Sequence, residues 1–324
     1  MNMKQVCVLG GTGFVGKHLF NRLVEEGRRV KVLTRRRERH RELLVLPTVS
    51  VVEADVYDTA RLTRELRGCD AAINLVGILN EKGRDGSGFM RAHVALADTL
   101  LQACNAAAVS RLLHMSALNA DAKNGPSFYL RSKGQAENRV HAANPTVLSA
   151  TSFRPSVIFG PEDSFINRFA DLLKLSPLVF PLACPESRFA PVYVGDIVEA
   201  FAGALEDEST YGERYNLCGP RDYTLKELVE YTASVLGVKR RIIGLSQGLS
   251  RLQANVLEFA PGKPFSRDNY LSLTRDSVCP DGKRCPTSLE SIVPYYLGQR
   301  GKYARYSRFR RSYWLPDDQQ EKLP

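Results

Sequence analysis

One short stretch near the start of the chain constrains it most: Val6-Cys7-Val8-Leu9-Gly10-Gly11-Thr12-Gly13-Phe14-Val15-Gly16-Lys17-His18-Leu19. An apolar run stops at a glycine cluster, and a helical pattern begins at once, giving the order strand, turn, helix. Glycine at Gly10 allows a tight turn, at Gly13 it lets a phosphate approach the backbone, and at Gly16 it lets helix and strand pack closely. The helix start adds unpaired N–H groups and a partial positive charge, which suit a pyrophosphate. Thr12, Phe14 and Val15 complete the expected dinucleotide turn.

The next strand bears on which dinucleotide. Val30-Lys31-Val32-Leu33-Thr34 reads as that strand, and Arg35-Arg36-Arg37 follow it. An acidic residue here would bond a ribose 2′-hydroxyl and repel a 2′-phosphate, whereas a guanidinium pairs with the phosphate bidentately. Arg35 and Arg36 therefore point to NADP(H). A solvated basic loop that tolerates NAD(H) is the alternative.

Apolar runs and helical patterns then alternate: Val49 to Ala54, Ala71 to Val76, a helix from Met90 to Asn105, Arg111 to Met115, a helix from Phe128 to Ala143, and a strand from Thr146 to Phe153. This alternation predicts right-handed crossovers and an α/β fold with a doubly wound parallel sheet. From Gly160 prolines loosen the pattern. Residues 159–298 read as a smaller α/β lobe after a dinucleotide-binding domain over 1–158, with 190–205 returning to the first domain. Thr224-Leu225-Lys226-Glu227 predicts a capping box, and Val194-Gly195-Asp196 opens a helix with Ile197, Val198, Ala200, Phe201 and Leu205 toward the core. Phe165, Phe169, Leu172, Leu178 and Phe180 offer either an apolar substrate lining or core.

With 44% hydrophobic and 25% charged residues in 324, the composition is that of a globular protein. No apolar run reaches the roughly 20 residues needed to span a bilayer. No secretory or Arg/Ser-rich leader is evident, so a cytoplasmic protein is expected. No His/Cys cluster has metal-ligand spacing. Cys7, Cys104 and Cys218 read as buried thiols, and Cys279 and Cys285 flank a Pro-Asp-Gly turn where they could pair. His18, His93 and His114 read as packed or surface residues.

Net charge is +10, and residues 299–314 hold Arg300, Lys302, Arg305, Arg308, Arg310 and Arg311 with no acid, interleaved with tyrosines, Phe309 and Trp314. Such a segment suits the inner-membrane surface or an acidic protein partner, or wraps its own domain. No motif points to nucleic acid.

Tyr129 and Lys133 stand four apart on a predicted helix and share one face. A neighbouring ammonium is expected to lower the phenol's pKa. Ser116, just after a strand, is placed to hold a carbonyl. Together these three suit proton transfer beside a nicotinamide.

The GGTGFVG, YLRSK and RPSVIFGPED stretches resemble the short-chain dehydrogenase/reductase superfamily in its extended or atypical branch, with a Rossmann-type fold. The resemblance implies that Asp55 and Val56 contact the adenine, that Asn74, Leu75, Val76 and Gly77 line the cofactor, and that Pro155, Ser156 and Val157 approach the nicotinamide amide. FAPVYVGDIVEAF, PTSLESIVPYYLG and the basic end resemble the accessory-subunit family of respiratory complex I and its bacterial relatives. Ser116, Tyr129 and Lys133 beside the cofactor turn favour an NADP(H)-dependent oxidoreductase acting on a carbonyl, alcohol or quinone-related substrate. The accessory-subunit resemblance implies, as the alternative, a non-catalytic, nucleotide-loaded subunit of a respiratory assembly, and an NADPH-sensing regulator is a further one.

Overall fold

A computed structural model describes residues 3–45, 48–261, 263–279 and 284–298. The basic segment 299–324 and its aromatic residues lie outside the described residues. Seven parallel strands form the central sheet: β1 (Gln5–Leu9), β2 (Arg29–Thr34), β3 (Val49–Glu53), β4 (Ala71–Asn74), β5 (Arg111–Met115), β6 (Ser149–Pro155) and β7 (Arg214–Leu217). Their spatial order is β7-β6-β5-β4-β1-β2-β3. The order reverses between β1 and β4, and in open α/β sheets the crevice at such a point takes ligands.

Alternation along the strands divides the core into two faces. Val6 and Val8 of β1 point one way, where α1 (Phe14–Glu25) packs with Leu19, Phe20 and Leu23. Cys7 and Leu9 point the other way, toward α2 (Thr59–Leu66), α3 (Leu96–Ala107) and α4 (Phe128–His141). A π-helical turn, Met90–Ala95, leads into α3. Two strands are shifted from expectation by side chains that bind backbone. Asn74 Oδ1 accepts the Val76 N–H at 3.1 Å, so β4 stops at Asn74. Asn144 Oδ1 accepts the Thr146 N–H at 3.1 Å, a turn that delays β6 to Ser149.

The second lobe has its own core, where α5 (Ile166–Leu175), α7 (Leu225–Leu236) and α9 (Leu289–Leu297) meet. Phe165, Phe169 and Phe180 pack half-buried on that core, with the Phe165 and Phe169 rings 5.3 Å apart. Leu178 is exposed. The Thr224–Glu227 capping box opens α7. The chain also recrosses to the sheet layer. Ile197, Val198 and Phe201 of α6 (Val194–Ala204) share a core with α1, and β7 pairs with β6.

The cysteine expectation is corrected. Cys218, first residue after β7, is joined to Cys279, while Cys285 is a half-buried free thiol. The cause lies in strand alignment: Ser277 donates its N–H to Arg188 O at 2.7 Å and accepts from Ala190 N–H at 2.9 Å. Gly219 in turn donates to Ala190 O at 3.1 Å, so residues 188–190 hold Cys218 and Cys279 side by side. Cys7 and Cys104 are buried free thiols.

Candidate functional site

The glycine turn sits at the C-terminal end of β1, packed against the end of β4. Gly10 has φ +72°, and a Cβ there would lie 2.8 Å from Val76 N. A Cβ on Gly16 would lie 2.0 Å from Gly11 O. The turn is closed by the Gly13 N–H donating to Gly10 O at 3.1 Å. No side chain caps α1, and no acid lies in its first turn. This leaves a backbone concavity with free N–H groups at a helix start, so the residues present fit a dinucleotide pyrophosphate.

Arg35 and Arg36 are exposed beyond β2, and neither makes an ion pair among the described residues. The Arg37 N–H donates to Glu53 at 2.9 Å, which pins this loop to the end of β3. Asp55 is exposed and accepts the Tyr57 N–H at 3.0 Å, and Val56 is half-buried. The Ser156 hydroxyl is already engaged, donating to Ser277 O at 2.6 Å.

The α4 helix carries the titratable groups. Its start is doubly held: Ser127 Oγ accepts the Leu130 N–H at 3.1 Å, and Asp268 from the second lobe accepts the Phe128 and Tyr129 N–H groups at 2.6 and 3.2 Å. Lys133 is buried, and its Nζ donates to Met115 O at 2.9 Å and Val76 O at 3.4 Å. A Cβ on Gly77 would lie 3.2 Å from that Nζ. Burial brings the Lys133 pKa down to about 8, against a smaller upward pull from Glu137.

Tyr129 is half-buried, with its ring edge-on to Phe89 and His93. Burial, and then the Asp268 carboxylate, push its pKa up to about 12. The expected lowering by Lys133 is not found: burial and the Asp268 carboxylate both act upward, and the phenol makes no hydrogen bond to Lys133. His93 is buried and neutral, its pKa brought down to about 2 by burial and by Lys133. It is fixed between Ser132 Oγ at 2.8 Å and the Ile78 N–H at 3.3 Å.

Ser116 is 2% exposed, and its hydroxyl lies close to Glu137 without hydrogen-bond geometry. It faces inward in this arrangement, away from open space. Glu137, two turns beyond Tyr129, was missed by sequence reading. It is buried and takes Arg154 through both carboxylate oxygens and Arg214 at 2.7 Å. Burial alone would raise its pKa; the hydrogen bonds and charges of the two arginines hold it below the ordinary value. The signal available was the i, i+4, i+8 spacing of Tyr129, Lys133 and Glu137. Asp268 carried no such signal, lying 139 residues from the Tyr129 amide it caps.

The structure thus brings together Gly10 to Gly16, Leu75 to Gly77 and Lys133 in one place, with Tyr129 one turn away. A seven-stranded parallel sheet with a glycine-lined turn at its switch point defines a dinucleotide-binding α/β protein of the short-chain dehydrogenase/reductase type. Residues 6–218 match the NAD dependent epimerase/dehydratase family, and the chain belongs to that family. It is similar to the mitochondrial 40 kDa subunit of NADH-ubiquinone oxidoreductase from Neurospora crassa, 27% identical over 92% of this chain and 80% of that one. It is also similar to a ceramide reductase from Caulobacter vibrioides, 32% identical over 74% of this chain and 73% of that one. The crystal structure of the dTDP-glucose 4,6-dehydratase DesIV from Streptomyces venezuelae, with NAD and TYD bound, shares the fold. Its TM-score is 0.69 at 23% identity, covering 96% of this chain and 99% of that one.

Proposed function

We propose that the chain binds NADP(H) and reduces a carbonyl carried on an apolar molecule. The observation that carries this reading is the seat of Lys133, buried against Val76 O, Met115 O and Gly77 beside the glycine turn, with Tyr129 one turn away. Gly10, Thr12, Gly13, Phe14, Val15 and Gly16 would hold the pyrophosphate. Arg35 and Arg36 would hold the 2′-phosphate, Asp55 and Val56 the adenine, and Leu75, Val76, Gly77, Pro155, Ser156 and Val157 the remainder. Bound there, NADP(H) supplies a hydride to a carbonyl carbon. Tyr129, with a pKa near 12, keeps its proton at neutral pH and can give it to the carbonyl oxygen. Lys133 would hold the cofactor side of the site, its Nζ fixed by Met115 O and Val76 O. The bacterial relative named a ceramide reductase supports an apolar substrate.

A second reading is supported by the respiratory-subunit relative and by the closed position of Ser116. In it NADP(H) is held without being consumed, and residues 299–314 carry the chain to a respiratory assembly or the inner membrane. An NADPH-sensing regulator is the third form of this idea.

Titration of the purified chain with NADPH and NADH tests the cofactor assignment. NADPH binds more tightly, and Arg35→Glu weakens NADPH by about ten- to a hundredfold while leaving NADH little changed. An NADH preference in the unaltered chain overturns the arginine assignment. With a reducible long-chain ketone, Tyr129→Phe retains NADPH affinity and loses at least about a hundredfold in rate. An unchanged rate removes Tyr129 from the mechanism.

A further inference from the structure

The helix α8 (Gln247–Leu257) is amphipathic in the reverse of the usual sense. Its buried face is Ser250, Ala254 and Glu258, spaced i, i+4, i+8 and ending at the helix C-cap. Three of its four large apolar residues face solvent: Leu249 is 52% exposed, Leu252 56% and Val256 61%, and Phe259 continues the row at 71%, while Leu257 is half-buried. At 100° per residue the four exposed ones fall within one narrow stripe, opposite the buried face. A globular core does not place small and acidic side chains inward and leucines outward, so this stripe is built to meet something.

The charges around it specify what. Arg251 on the helix and Lys263 and Arg267 after it are cationic, against Glu258 and Asp268. Glu258 is buried, and Asp268 is half-buried with its oxygens accepting the Phe128 and Tyr129 N–H groups, so the exposed charge of this stretch is cationic. The loop beside Phe259 adds to it: the Arg84 guanidinium lies 3.9 Å from the Phe259 ring centroid. Lys263 Nζ holds that loop by donating to the carbonyls of Glu81, Lys82 and Gly83 at 2.9, 3.1 and 2.9 Å.

A second copy of this face would set like charge against like charge. The chain's own segment 299–314, with six cations and no acid, would do the same. The occupant must therefore be both apolar and anionic. A convex row of aliphatic and aromatic side chains, edged by long cationic stems, matches the depth profile of a bilayer surface. The stripe enters the acyl boundary, and the cations lie at the phosphates. We infer that α8, with the 82–84 loop beside it, docks the protein on an anionic lipid bilayer. This holds whether or not the nucleotide site turns over.

The test is flotation of the full chain with vesicles of phosphatidylcholine and phosphatidylglycerol, compared with phosphatidylcholine alone. Binding is expected to the anionic vesicles and to weaken as salt is raised. Leu252→Gln with Val256→Gln lowers it by at least about tenfold while nucleotide affinity and melting temperature stay unchanged, since both side chains already face solvent. Leu249→Gln alone gives the same direction and keeps the question decidable if the double variant fails to fold. A chain with Arg305, Arg308 and Arg310 changed to glutamine still shows the α8-dependent loss, which separates this surface from the basic end. Unchanged flotation of the double variant overturns the inference, as does absence of flotation in the unaltered chain. Conversion of a dimer to a monomer by the same substitutions, measured by light scattering, overturns it in favour of a second copy. An acidic protein that binds through α8 when anionic vesicles do not overturns it in favour of a protein partner.

Discussion

The sheet layer and the second lobe are built from the same kinds of residue but differ in how tightly each is determined. In the sheet layer β1 to β6 alternate between two continuous cores, and the loops after β2 and β4 are pinned by bonds at Glu53 and Asn74. The second lobe rests on one core with short two-stranded pairs around it, and it leaves Leu175, Leu178, Ile243 and the α8 stripe in solvent. The difference shows where adaptability sits: a rigid half can present a cofactor cradle, and a looser half can vary what meets it.

The comparison predicts the largest effect where the two regions are tied. The Cys218–Cys279 link closes a separation of 61 residues, and loop-closure entropy puts its contribution at about 4 kcal/mol. Cys218→Ser is expected to lower unfolding free energy in urea by about that much. Equal stability with and without reductant would show that the second lobe holds to the sheet without it. A smaller loss, about 3 kcal/mol, is expected for Glu137→Gln, because Arg154 and Arg214 lose a buried carboxylate. The same denaturation experiment checks it, and a loss under 1 kcal/mol would make the sheet layer less determined than its bonds imply.

The smallest effect concerns Lys133. Its pKa falls from 10.5 to about 8 on folding, so between those values the unfolded chain binds the extra proton. The stability it confers is therefore complete above pH 10.5 and is lost as pH falls through about 8. Relative to Lys133→Met, the unaltered chain should gain about 1 kcal/mol between about pH 7 and 9. A flat difference across that range would mean that Lys133 is not desolvated.

Much of the sheet layer, and the start of α7 in the second lobe, was legible because local rules decide them. The glycine spacing, the alternation of β1 to β5 and the Thr224 capping box each depend on residues within a few positions of one another. What was illegible depends on distant parts. The Cys218–Cys279 pairing follows from how 188–190 align with Ser277, and Asp268 reaches α4 from the other lobe. The phenylalanines from Phe165 to Phe180 carry one hydrophobic signal for both core and pocket, and only packing separates the two. The Tyr129–Lys133 spacing was read correctly as a shared face, but the sign of the phenol's shift depends on burial, which spacing does not encode.

The carboxylate of Asp268 has a consequence for dissecting the molecule. Because it supplies the start of the helix that bears Tyr129 and Lys133, the nucleotide half is not a cassette that can be cut at residue 158 and grafted elsewhere. A fragment ending there would lack that cap, the seventh strand and α6 together. Chimeras with related chains should exchange surface loops such as 82–84 and leave the two halves of one parent together.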